Sequence, residues 1–151
     1  MSESLQVRRA TREDADSLVE FNAAMAAETE DRALDSATLR AGVDAVFDDE
    51  ARGFYLVAEH DGRAAGALMV TFEWSEWRNA PFWWIQSVYV APDARGRGVY
   101  RALHARVESE ARSAGACGLR LYVEKENDRA RRVYEFLGMR KTVYDMLEVE
   151  F

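Results

Sequence analysis

The residues best suited to chemistry lie in one short run, Arg95-Gly96-Arg97-Gly98, with Arg101 following. Arginine offers a forked, charge-assisted donor to phosphate oxygens, and glycine lets backbone N–H groups approach an anion closely. Where such a turn leads from a strand into a helix, the helix dipole adds roughly half a positive charge. The run therefore reads as a cradle for a pyrophosphate. A dinucleotide fingerprint would need G-x-G-x-x-G and a P-loop would end in Gly-Lys-Ser/Thr; neither occurs. The positive charge is local, because the 151 residues carry 27 acidic against 20 basic side chains, a net charge of −7. That balance disfavours nucleic acid and anionic membrane as partners and points to one small anionic ligand.

Other reactive side chains are sparse. Cys117 is the single cysteine, so it forms no intrachain disulfide, and with only His60 and His104 beside it there is no zinc-type ligand set; no metal is expected. Cys117 opens a buried-looking strand and reads as a core residue, while His60 and His104 read as structural or solvated. Carboxylates stand at Glu28 and Glu30, after a helix, and at Glu73 and Glu76, after a strand. All four tryptophans, Trp74, Trp77, Trp83 and Trp84, fall in one region of the chain.

The elements that must position these residues follow from periodicity and turn chemistry. Leu5 to Arg8 reads as a first strand, and Thr11 with Asp14 opens a helix of roughly Arg12 to Ala27. Asp35 or Ser36 caps a second helix with Leu39, Val43, Val46 and Phe47 on its apolar face. Phe54 to Ala58 and Ala64 to Phe72 alternate as strands about His60-Asp61-Gly62-Arg63, an Asp-Gly hairpin signal, and so should be antiparallel. Phe82 to Val90 is apolar on both faces, like a central strand, and stops at Pro92. Val99, Leu103, Val107 and Ala111 then repeat at helical spacing as far as Gly115. A strand at Leu119 to Val123, a helix from Asn127 to Gly138 and two short strands within Thr142 to Phe151 complete the order β-α-α-β-β-β-α-β-α-β-β. Nothing divides the chain, so one domain over residues 1–151 is expected. No apolar stretch is long enough to cross a bilayer and Met1-Ser2-Glu3-Ser4 is unlike a signal peptide, which predicts a cytoplasmic protein.

Two segments carry a family resemblance. Val88 through Arg95-Gly96-Arg97-Gly98-Val99-Tyr100 resembles the R/Q-x-x-G-x-G/A signature of the GNAT superfamily of N-acetyltransferases. Asn127-Asp128-Arg129-Ala130-Arg131-Arg132-Val133-Tyr134-Glu135-Phe136-Leu137-Gly138-Met139 resembles its N-x-x-A-x-x-x-Y-x-x-x-G-F segment. The resemblance implies an α/β (α+β) fold, a single-domain, mixed but mostly antiparallel twisted sheet of about seven strands flanked by four helices. It also implies a splay between the fourth strand (Phe82 to Val90) and the fifth (Cys117 to Val123), with acetyl-CoA in the gap. The cofactor residues it implies are Val88, Tyr89 and Val90 beside the pantetheine arm, then Arg95, Gly96, Arg97, Gly98, Val99 and Tyr100 around the pyrophosphate. Asn127, Ala130 and Tyr134 follow from the second segment. Tyr100 departs from the pattern, which has a small residue there.

By the same resemblance, Tyr134 is the general acid that protonates the leaving CoA thiolate. The family's fourth-strand carboxylate has no counterpart in Ile85-Gln86-Ser87, so the base must come from elsewhere, with Glu28 the first choice. The expected acceptor pocket takes in Glu28, Glu73, Trp74, Trp84 and Gln86, where charge and cation–π attraction would favour a cationic amine. The activity implied is direct acetyl transfer from acetyl-CoA to a primary amine of a small molecule in a ternary complex, with a homodimer as the family-like assembly. The alternatives are acetylation of a protein N-terminus or lysine, and a catalytically silent acyl-CoA-binding module.

Overall fold

The computed structural model describes residues 4–151. The described chain forms two compact units that meet in sequence between Leu121 and Tyr122.

In the first unit, β1 (Leu5–Arg9), β2 (Phe54–His60), β3 (Arg63–Ser75), β4 (Ala80–Val90) and β5 (Gly118–Arg120) form one sheet in the order β1-β2-β3-β4-β5. The first four strands are antiparallel to their neighbours, and β5 runs parallel to β4. Asp61 and Gly62 turn the β2–β3 hairpin with positive φ at both positions, the backbone that a two-residue hairpin requires. A 3-10 turn at Arg12–Asp14 leads into α1 (Ala15–Glu30). Asp35 caps α2 (Ser36–Asp48), its carboxylate accepting from the Thr38 N–H at 2.9 Å. These two helices cover one face of the sheet through Ala15, Leu18 and Val43 against Tyr55, Val57 and Ala67. The opposite face carries α3 (Val99–Ser113), whose Val99, Leu103, Val107 and Ala111 pack on Leu56, Leu68, Val70, Trp83 and Ile85. The 3.6-residue period anticipated for this helix is the buried stripe observed.

The strand expected over Cys117 to Val123 is shorter than its alternation suggested. β5 pairs with β4 only from Gly118 to Arg120, opposite Phe82 to Trp84, while β4 runs on to Val90. Cys117 is exposed and not a core residue. It precedes the ladder, and its N–H is tied to the Pro81 carbonyl at 2.9 Å, a position that holds backbone without enclosing the side chain.

The second unit contains α4 (Asp128–Phe136). Asn127 caps it, its side-chain oxygen accepting from the Ala130 N–H at 3.1 Å, and Gly138 follows it with φ of 96°. The two strands anticipated within Thr142 to Phe151 are not formed, so the described sheet has five strands and not about seven. Val143, Leu147, Val149 and Phe151 have the period of a strand, but a strand exists only where a neighbour supplies a ladder. Among the described residues this segment forms no strand, and these side chains are exposed. Among the described residues no helix is long and apolar enough to cross a membrane.

Candidate active site

The glycine–arginine run sits where the sequence places it, between the end of β4 and the start of α3. After Val90 the chain makes a 3-10 turn at Pro92–Ala94, and the Ala91 N–H donates to the Ala65 carbonyl at 2.8 Å, fixing the start of the loop to β3. Gly96 and Gly98 have φ of 77° and 78°, a left-handed backbone that other residues adopt at a cost. A Cβ at either would meet nothing within 4 Å, so these glycines are needed for backbone direction and not for space. Gly98 is the N-cap of α3, and among the described residues no side chain caps that helix end. An uncapped helix N-terminus framed by Arg95, Arg97 and Arg101 fits a pyrophosphate.

Two features hold this loop. Val99 is buried against the sheet, and Gly66 on β3 lets it lie close. A Cβ on Gly66 would stand 2.9 Å from the Tyr89 carbonyl oxygen and 3.0 Å from Val99 Cγ1. Upstream, the ladder between β3 and β4 slips by one residue, from Ala67↔Tyr89 to Met69↔Gln86. Ser87, inside the slip, has φ of 52°. This is a β-bulge with a left-handed residue, immediately before Val88, Tyr89 and Val90.

Tyr100, the residue that departs from the signature, turns along its own helix. Its hydroxyl shares a hydrogen bond with His104 Nδ1 at 3.1 Å, and the two rings meet edge to face. His104 is buried, and burial pushes its pKa below the usual histidine value, so it stays neutral at neutral pH. His104 is therefore structural.

Glu28, at the C-terminal end of α1, converges on the same loop. Its carboxylate accepts from Arg95 Nη2 at 2.8 Å and from the Tyr89 hydroxyl at 2.9 Å, while Arg95 Nε donates to the Val90 carbonyl at 3.0 Å. Arg95 foremost, and Tyr89 next, hold the Glu28 carboxyl below the ordinary range. Burial, together with the adjoining Glu28, pushes the Tyr89 phenol up. Phe21 of α1 packs on the Tyr89 ring at 5.3 Å between centroids.

A second cluster lies nearer the start of β4. Glu73 accepts from Trp84 Nε1 at 2.9 Å and from Arg120 Nη1 at 2.8 Å, and these bonds lower its pKa. The Arg120 guanidinium also sits over the Phe82 ring at 3.7 Å. Glu73 and Trp84 are thus together, with the Glu73 charge already matched by Arg120. Gln86 donates to the Thr71 hydroxyl at 2.6 Å. Trp74, next to Glu73 on β3 and so on the other face, is exposed, as is Trp77. A cleft of about 890 Å³ opens at the end of the sheet remote from the loop, lined by Arg9, Phe47, Phe54, Phe72, Trp83 and Glu110; it takes in none of the expected site residues.

In the second unit, Asn127 and Ala130 are joined through the cap of α4, and Tyr134 is half-buried, with burial raising its phenol above the ordinary value. Sequence reasoning missed Gly66, Arg120 and the Tyr89 hydroxyl. A glycine inside a strand is a signal of close backbone approach, so Gly66 was open to discovery. Arg120 and Tyr89 depend on cross-strand and helix–strand neighbours that no spacing in one segment reports.

The sequence profile of the acetyltransferase (GNAT) family matches residues 17–139, so the chain belongs to that family of acyltransferases, whose acetyl donor is acetyl-CoA. It is similar to a possible acetyltransferase from Clostridium difficile 630, with 39% identity, a TM-score of 0.90 and 99% of each chain covered. It is also similar to the mycothiol acetyltransferase of Corynebacterium aurimucosum, 33% identical over 103 residues, which are 66% of this chain and 34% of that protein. The chain thus spans about a third of the length of that relative. An aminoglycoside N-acetyltransferase in complex with CoA shares the fold, with a TM-score of 0.83 at 16% identity over 99% of this chain and 97% of that one.

Proposed function

We propose that the chain transfers an acetyl group from acetyl-CoA to a primary amine of a small molecule, directly and in a ternary complex, with the two units working as one acetyltransferase domain. The observation that carries this reading is the loop itself: two left-handed glycines, an uncapped helix end and three arginines in a chain of net charge −7. The mycothiol acetyltransferase relatives support a small-molecule acceptor.

When bound, acetyl-CoA supplies an acetyl thioester. Backbone groups of Val88 and Val90 orient the pantetheine arm, and the segment from Arg95 to Tyr100 holds the pyrophosphate. Asn127 and Ala130 add to the cofactor side. Tyr134 gives its proton to the departing sulfur; its raised pKa keeps that proton in place through the neutral range. Glu28 attracts the amine and accepts its proton. Glu73, Trp74, Trp84 and Gln86 line the acceptor side and favour a cationic amine. On this reading the protein works in the cytoplasm as a homodimer.

Thermal unfolding with and without acetyl-CoA tests the proposal. Ligand at a hundred times its Kd stabilises the native state by about 2.7 kcal/mol, an upward shift in Tm of roughly 5–10 °C for a chain of this size. Arg97→Ala should weaken the shift. No shift at millimolar acetyl-CoA would overturn the reading.

A further inference from the structure

We infer that Arg95 is shared between Glu28 and the cofactor's pyrophosphate, so that filling the cofactor site releases the Glu28 carboxylate to the acceptor amine. The inference rests on the acetyl-CoA reading above and deepens it.

The Arg95 guanidinium is anchored at one end and paired at the other. Its Nε donates to the Val90 carbonyl at 3.0 Å, which keeps it at the mouth of the loop, and its Nη2 reaches Glu28 at 2.8 Å. A guanidinium has five N–H donors, so the anchored group can turn its outer edge from one anion to another without leaving Val90. The bond to Glu28 is easily given up: both side chains are more than 40% exposed, at 44% and 42%, and an ion pair of that exposure contributes little. A pyrophosphate held on the same loop would offer Arg95 more charge than one carboxylate, on oxygens that suit its fork.

Glu28 does not drift when Arg95 turns away, because the Tyr89 hydroxyl still donates to it at 2.9 Å and Phe21 braces the Tyr89 ring. Tyr89 is thus a positioning residue that acts through Glu28. Its backbone belongs to the strand segment beside the cofactor, and its side chain belongs to the acceptor side. Arg95 is also the foremost cause of the low proton affinity of Glu28, so its departure leaves a better proton acceptor. The cofactor therefore prepares the group that receives the amine, and amine binding is favoured after cofactor binding. Coupling of this kind is reciprocal: removing the Glu28 charge must improve cofactor affinity through Arg95.

Calorimetric titration of acetyl-CoA into the native protein, Glu28→Gln, Arg95→Ala and the double variant tests this, with circular dichroism confirming that each is folded. Glu28→Gln is expected to bind acetyl-CoA about two- to fivefold more tightly than the native protein, with the gain absent in the Arg95→Ala background. Should Glu28→Gln give no folded protein, Glu28→Ala must show the same gain. Tyr89→Phe should raise the KM for amine more than it lowers kcat. Unchanged or weaker binding by the Glu28 variants, or an equal gain without Arg95, overturns the inference while the acetyl-CoA reading stands. No binding by the native protein overturns both.

Discussion

Tyr134 and Asp14 show how differently single residues are tested. For Tyr134, proton transfer of the kind proposed contributes typically 10²–10⁴-fold to rate. Tyr134→Phe is expected to lower kcat by about that factor in an assay of CoA release, with acetyl-CoA affinity in calorimetry retained. Asp14 is a matter of stability. Its carboxylate accepts from two nitrogens of Arg8 at 2.7 and 2.8 Å and from the Thr11 N–H at 2.7 Å, and the Arg8 hydrogen bond foremost holds its pKa below the ordinary 3.8. The unfolded chain therefore binds a proton at this site before the folded one does. The stabilisation is complete above pH 3.8 and is lost as pH falls through the folded value. Asp14→Asn should cost about 1 kcal/mol at pH 7, the partly exposed Arg8 limiting the figure, and acid melts should show the native protein converging on the variant below pH 4. At this scale the sequence was legible where a motif fixes backbone, as at Gly96 and Gly98. It was not legible where a side chain's role depends on a remote neighbour. Glu28 was picked as an acid near the acceptor, yet its pairing with Arg95 arises from the packing of α1 over β4 and from no local pattern.

Helices were easier to read than strands. Caps and periodicity sit within a few residues of one another, so Asp35, Asn127 and the Val99–Leu103–Val107–Ala111 stripe were visible in the chain. A strand's length is decided by its partner, and β5 stops at Arg120 despite the alternation that continues to Val123. The close crossing of β3, β4 and the start of α3 gives the element-scale prediction. Gly66→Ala places a methyl group 2.9 Å from the Tyr89 carbonyl oxygen and 3.0 Å from Val99, so backbone must move. A loss of about 1–3 kcal/mol is expected, seen as a drop in Tm, and acetyl-CoA affinity should fall with it because Val99 opens the helix that frames the loop. A variant that melts like the native protein would show that β4 and α3 are less tightly held than these distances imply.

For the whole molecule, exposed Val143, Leu147, Val149 and Phe151 are the outstanding feature. Apolar side chains in strand alternation with no ladder are a surface to be covered, which supports the proposed homodimer. Sedimentation velocity should give a single species of twice the chain mass, and Leu147→Glu should shift it to the monomer; a monomeric native protein at micromolar concentration would refute the assembly. The two layers around the sheet also show what the bulge at Ser87 accomplishes. Before it, the odd-numbered Trp83 and Ile85 pack with α3. After it, the even-numbered Val88 and Val90 take that side, and odd-numbered Tyr89 reaches Phe21 of α1. One extra residue thus reverses the parity of the strand in mid-course, with the ladder resumed on either side. A strand of the same length that alternated without the bulge would keep every group now assigned to the site and still turn the Tyr89 hydroxyl toward the wrong helix. The site depends on where β4 places its one surplus residue as much as on the kinds of residue around it.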